Sequence, residues 1–551
     1  MSEGTTLVPL APPVPLTPPA AHPDFPSAGP ASATKPAYPV DLADGILALG
    51  LVVLGFLFWD WILPRFGPVG GNSAGTVFAT FFPGLAVTLV FLLGVAGSLA
   101  YFAVRQVRLS RGGLVGAVLV ILGALPYAIY DTTPLSIFGG LVLVIGYVTW
   151  HAYAGRTAIA PRLGGLTPVD ALNQGLVVPV KNAGAWFAAI RGLARGKKQA
   201  MQVIFALVGV VVAVPVIAAV LNLLMSADTR FGLWMGWLGD YFARFDVWGF
   251  LWKLALGLIL ALYLTALAYG NAHRRGTDVI TPEGVARWSG AVRKVAVTAV
   301  AAPLAILCAI YVVFFAAMGS YLFAGFAGTL PGGFTYAEYA RQGFFQLSAV
   351  AVINLVVLGF VYVAVRRQAG RYPVGARVLG GVLSALTLLL VATAVSKMAL
   401  YISWYGLTRL RLYALVAMVV MFIVFGLVGA WHIRAFRVGT PVAVVLVAAL
   451  LGLMWANPDG IIARYNVDGY LSGRIETIDV NHLRGLSAAA VPALIDLRDR
   501  GDATVQTEAG QALAQWQTGC AAGCAPVNPP TGRGWTSWSW QAERATGLAD
   551  R

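Results

Sequence analysis

The chain has 551 residues and a net charge of +15, yet only 11% of its residues are charged and 58% are hydrophobic. A soluble chain of this size carries roughly 25% charged residues, so the balance excludes an ordinary globular enzyme and points to an all-α, polytopic transmembrane helix bundle. Nor does the positive charge point to a nucleic-acid partner, because Lys and Arg sit in short connectors between apolar runs, where they report topology.

Residues 1–41 hold eleven prolines among Ala, Ser and Thr, with Lys35 as the only Lys or Arg. No basic stretch precedes an apolar core, so this is a disordered Pro/Ala-rich cytoplasmic tail and not a signal peptide. Eleven apolar stretches follow, at 44–63, 78–104, 112–130, 134–154, 201–224, 247–270, 295–318, 343–365, 380–401, 413–433 and 440–456. Each is long enough to span about 30 Å of hydrocarbon, the last being short, which gives about eleven spans. They define a transmembrane domain over 42–456, and 457–551 reads as a small helical C-terminal domain.

The connectors alternate in charge. Those around 105–111, 156–198, 274–294, 366–377 and 434–437 carry 21 Lys and Arg, against six (Arg65, Arg230, Arg244, Arg341, Arg409, Arg411) in the others. Because Lys and Arg are retained in the cytoplasm, the N-terminus is expected inside and the C-terminus outside, in a bacterial cytoplasmic (inner) membrane.

Two connectors are predicted to be surface helices. In 167–198, Thr167 is the expected N-cap, Pro168 enters the first turn and Asp170 follows at its third position. Trp186, Phe187, Ile190 and Leu193 share a face there beside Arg191, Arg195, Lys197 and Lys198, so anionic inner-leaflet lipids are the expected partner. The segment 228–246 has Phe231, Trp234, Leu238, Phe242 and Phe245 at helical spacing behind Asp228. Both are expected to pack at the interface.

In "TYAEYARQGFFQL" (335–347), Thr335 and Glu338 have capping-box spacing, Phe334 and Tyr339 fit a hydrophobic staple, and Glu338 can pair with Arg341. The next outward connector, 397–415, places Lys397, Tyr405, Arg409 and Arg411 at a similar depth, while Lys253 and Asp60 flank other span ends. Two readings stand for these ionisable groups: lysines snorkelling to headgroups, or a shared outward-facing polar pocket of Asp60, Lys253, Glu338, Arg341, Lys397, Tyr405, Arg409 and Arg411.

The C-terminal region adds "NPDG" (457–460) as a turn and "GCAAGC", where Cys520 and Cys524 could close a disulfide in an oxidising compartment. Trp535, Trp538 and Trp540 suit a domain core or the bilayer interface. Cys308 reads as inert packing. "RGLARGKK" (191–198) fails the phosphate-loop spacing, and no HExxH, GxSxG or CxxC motif occurs. No catalytic residue, metal or cofactor is therefore expected.

"LLMSADTRF" (223–231), "TYAEYARQGFFQL", "YGLTRLRLYAL" (405–415), "ARYNVDGYL" (463–471) and "HLRGLSAAAVPALIDL" (482–497) occur in this order. Over about residues 200–500 the chain resembles an uncharacterised family of polytopic bacterial membrane proteins, a domain of unknown function. The resemblance implies a multispanning protein and carries over no catalytic residue. The expected role is a non-catalytic sensor, assembly factor or scaffold whose outer domain meets a protein partner. A secondary transporter or channel, and an outward-facing enzyme on a lipid-linked substrate using Asp60, Asp228 and Glu338, are the alternatives.

Overall fold

A computed structural model describes residues 38–62, 84–130, 134–160, 162–196, 247–323, 336–368, 371–518 and 538–549, with isolated positions between 209 and 227 and at 333. The described residues are mainly helical and contain no strand. Among them, nine helices are long and apolar enough to cross a membrane, or ten if one bent pair counts as a span. The chain is thus an all-α polytopic helix bundle. The expected stretch 201–224 and the surface segment 228–246 lie outside the described residues.

The first group of helices is α1 (Leu42–Ile62), α2 (Gly84–Val104), α3 (Arg111–Ile129) and α4 (Pro134–Gly155). It continues with α5, a helix broken into Thr167–Leu172, a π turn Asn173–Val177 and Val178–Lys181, then α6 (Ala185–Gly196) and α7 (Val247–Ala272). Val87, Phe91, Phe102, Tyr147 and Trp150 form their core. The helices α1 and α7 touch backbone to backbone at Gly55 and Gly257, where a Cβ on Gly257 would lie 2.7 Å from the Phe56 nitrogen. Glycine is required there because no side chain fits between the two axes.

The second group begins with the short α8 (Pro282–Val292), capped by Thr281, whose hydroxyl accepts from the Gly284 N–H. It then runs through α9 (Val297–Phe323), α10 (Tyr336–Ala364), α11 (Val374–Tyr405) and α12 (Arg409–Ile433). Next, α13 (Gly439–Trp455) packs against α12 on one side and α3 and α4 on the other, joining the groups. After a 63° bend come α14 (Pro458–Leu471), α15 (Val480–Arg484), α16 (Val491–Arg500), α17 (Ala503–Thr518) and α18 (Trp540–Ala549). We call these last five helices the cap. The predicted turn at 457–460 shrinks to one hinge residue, Asn457, in the left-handed region at φ 54°. Pro458 restarts the helix at once, because its fixed φ suits a first turn.

The basic connectors gather at one end of the bundle. Arg105 reaches Asp41 and Asp44 at the start of α1, Gly439 abuts Gly165, and Arg366 donates its backbone N–H to Val295. At the opposite, cap end, Tyr130 donates to the Trp455 carbonyl and the Leu85 N–H to the Trp538 carbonyl. The cap shares one hydrophobic core with α9–α12: Leu383, Met418 and Phe425 belong to the same cluster as Ile462, Leu494, Leu497 and Trp516.

The 167–198 region departs from the predicted surface helix. Thr167 does not cap; its hydroxyl accepts from the Gly164 N–H at 2.8 Å, and the cap position is Leu166. In α6, Leu193 fills the notch at Gly45, Trp186 Nε1 donates to the Ala48 carbonyl, and Ala185 and Ala189 are buried. Most of its apolar face is therefore spent on α1, leaving Phe187 exposed together with Leu172, Leu176 and Val180 of α5.

Candidate functional site

The turn between α11 and α12 sets Arg409 of the cap end beside Asp459 of α14. Gly406 takes φ 73° there, and a Cβ on it would meet Asn466 Oδ1 at 2.6 Å, so only glycine allows this approach. Asn466 of α14 grips the turn by accepting from the Leu407 N–H at 2.6 Å and donating Nδ2 to the Leu407 carbonyl at 2.8 Å. Thr408 caps α12 through its hydroxyl.

Arg409 then reaches Asp459 in the first turn of α14. Its Nε and Nη2 donate to the two carboxylate oxygens at 2.7 Å each, the fork geometry that makes Arg–carboxylate pairs strong. Asp459 is fully buried and also accepts from the Ser487 N–H at 2.9 Å. Arg411 donates Nη1 to the Tyr405 and Gly406 carbonyls and stacks 4.1 Å from the Tyr401 ring centre. His482 lies beside this seam; burial, with Arg409 and Arg411 nearby, holds its imidazole below the ordinary value of 6.5 despite Asp479 and Asp459 pulling upward.

Lys253 Nζ lies 2.9 Å from Asp60 Oδ1, joining α7 to α1, and both side chains stay part-exposed. Lys397 is 1% exposed, held inside the bundle, so it does not snorkel. Glu338 and Arg341 stand on the first turns of α10, but their side chains lie outside the described residues, as do Thr335, Asp228, Cys520, Cys524 and Trp535. Trp538 and Trp540 are exposed and are not cap core. Cys308 is buried with its Sγ toward the Leu379 carbonyl.

Three further polar clusters carry no recognisable sequence motif. At the basic end, buried Asp44 accepts from Tyr101 at 2.6 Å, is paired with Arg105, and lies 3.5 Å from His273, which stacks on Tyr269. Between α2 and α4, Ser98 Oγ stands 3.0 Å from Tyr147 Oη and 3.2 Å from His151 Nε2, while His151 Nδ1 lies 3.0 Å from the Tyr147 carbonyl. Where α5 crosses α7, fully buried Gln174 meets fully buried Asn271, and Asp170 and Asn173, also fully buried, precede Gln174 on α5. The only sequence signal was polar residues at i, i+3 and i+4 in "DALNQ" (170–174). No group of three His, Cys, Asp or Glu among the described residues could hold a metal ion.

The sequence pattern of one protein family, the domain of unknown function DUF4153, matches residues 114–497. The match takes in α3 and α4, ahead of the motifs noted from residue 200 onward. No curated protein and no solved structure matches the chain.

Proposed function

We propose that this chain, which belongs to the DUF4153 family, is a non-catalytic component of a bacterial cytoplasmic membrane, a sensor, assembly factor or scaffold whose cap meets a partner outside the cell. The observation that carries this reading is how the cap-end charges are used. Arg409 is taken by Asp459, Arg411 by two backbone carbonyls, and Lys253 by Asp60, so these groups fasten the chain to itself. A cap that shares a core with four spans is a rigid platform, the property a scaffold needs. The alternation of basic connectors supports placing it outside. Leu172, Leu176, Val180 and Phe187, exposed near Lys181 and Arg191, support contact with anionic inner-leaflet lipids.

Two measurements test the proposal. A reporter enzyme active only outside the cytoplasm, fused after Arg551, should be active; activity of a cytosol-only reporter instead would invert the arrangement. Photo-crosslinkers at the exposed cap positions Arg500 and Trp540 should then give one discrete protein adduct in native membranes, absent with the crosslinker at the apolar, exposed Val313. Equal labelling from all three positions would count against a partner-binding cap.

A further inference from the structure

The cluster at the crossing of α5 and α7 has a property the cap-end seam lacks: its buried polar groups are not all satisfied from within. Asp170 and Asn173 lie three residues apart and Gln174 one further, so they share a helix face, and all three are fully buried. Asp170 Oδ1 accepts from the Ile159 N–H at 2.7 Å. Gln174 Oε1 accepts from Asn271 Nδ2 at 2.7 Å, and Asn271 Oδ1 in turn accepts from the Thr157 hydroxyl. The framework is therefore fixed on three sides. Yet Asp170 Oδ2, both polar atoms of the Asn173 amide, and Gln174 Nε2 find no hydrogen-bond partner in the protein.

Each such group is destabilising if nothing meets it, because it has given up its hydrogen bonds to water. A buried carboxylate costs far more unless a positive charge accompanies it, and among the described residues Asp170 forms no ion pair. The π turn that starts at Asn173 widens the helix at this point, a distortion frequent at functional sites.

We propose that Asp170, Asn173 and Gln174 form a buried binding site for one sodium-class monovalent cation with attendant water. Asp170 Oδ2 and Asn173 Oδ1 supply oxygen to the positive charge, and water oxygen satisfies the Asn173 and Gln174 N–H groups. Burial pushes the Asp170 carboxyl above its ordinary value, while the backbone amides of Ile159 and Ala160 pull it down, so the carboxylate there has a need for a counter-charge. The titratable groups along the same seam are Tyr153 of α4, whose hydroxyl is 3.5 Å from the Thr167 hydroxyl, and Tyr263 of α7, which donates to the Gly175 carbonyl. His273 turns instead toward Asp44. This site does not depend on which way the cap faces or on a partner for it.

The test uses the full-length protein in lipid nanodiscs, compared with Asp170→Asn and Asn173→Ala. Thermal unfolding is followed against NaCl and KCl, with choline chloride holding ionic strength constant, and separately against pH. If a metal ion is bound, the wild-type midpoint rises with sodium or potassium, the response is weaker in Asn173→Ala, and Asp170→Asn is flat. Salts that act alike on the wild type, with a loss of stability relative to Asp170→Asn as pH rises through the folded carboxyl value, would show a protonated carboxyl and no bound ion, and would overturn the site. Wild type and Asp170→Asn that respond identically to both salts and to pH would overturn the site.

Discussion

Removing the Asp459 carboxylate is the sharpest test of how the cap is held. In Asp459→Ala three hydrogen bonds go at once, two from Arg409 and one from the Ser487 N–H. Losing one partner of a buried pair costs about 3–5 kcal/mol. Arg409 keeps 28% of its side chain exposed, so its guanidinium can turn toward water; the expected loss is at the low end, about 3 kcal/mol. Arg409→Ala strands the carboxylate instead, where exposure is 0%, and should cost more, about 4–5 kcal/mol. The double variant should fall short of the sum by about 2 kcal/mol, since each single change already breaks the pair. Asp459→Asn, which keeps an acceptor for Ser487, should lie between wild type and Asp459→Ala. Denaturant unfolding of the full-length protein in micelles, followed by cap-helix signal, reads all four variants. An Asp459→Ala protein within about 1 kcal/mol of wild type, or an additive double variant, would refute the reasoning.

Three further outcomes are expected. Gly257→Val should separate α1 from α7, since its side chain meets the Phe56 nitrogen and the Gly55 carbon; overpacking of this kind costs about 1–3 kcal/mol, read as a lower unfolding midpoint. Gly406→Ala should cost about 1–3 kcal/mol through its φ of 73° and its clash with Asn466, and protease sensitivity at 405–408 should rise. His482 has a folded value below its unfolded value of 6.5, so its contribution is present above pH 6.5 and is lost as pH falls from there; His482→Gln should flatten that acid-side slope in a midpoint-against-pH series.

Much of the bundle was legible because a lipid-facing helix announces itself locally, by length and hydropathy. The stretch predicted at 44–63 is Leu42–Trp61 in the structure, and that at 413–433 is part of Arg409–Ile433. Helix caps that depend on one residue and its neighbours were less secure. Thr167 looked like an N-cap, but its hydroxyl serves Gly164, because the chain before it turns back on itself. The apolar face of 185–196 was legible and its neighbour was not: periodicity says that Trp186 and Leu193 are buried, and only the packing of α6 on α1 says against what. Asp170 stands in the first helical turn as its position implies, but the partner of its Oδ1, the Ile159 N–H eleven residues earlier, is one that local spacing does not name.

The candidate site divides along the same line. Arg409 and Arg411 were singled out by type and depth, but Asp459 was not, because its partner lies fifty residues away in sequence and nothing in "NPDG" marks it as acidic anchor rather than turn. An Arg near the end of a span has two ways to lower its cost: reach headgroups, or find a carboxylate brought over by another segment. Sequence alone cannot choose between them, since both begin from the same isolated cation. The choice is made by the bend at Asn457, which lays α14 across the start of α12 and so delivers Asp459 to Arg409. The Arg105 pairs with Asp41 and Asp44 repeat the arrangement at the basic end. In both places the ion pair ties the end of a transmembrane helix to a different segment, where partial hydration keeps the desolvation cost lower than at mid-bilayer. Charge in this chain therefore closes the ends of a bundle whose middle is held by close packing, and a variant that relocates the Arg409–Asp459 pair one turn deeper along α12 and α14 should be less stable than one that deletes both partners.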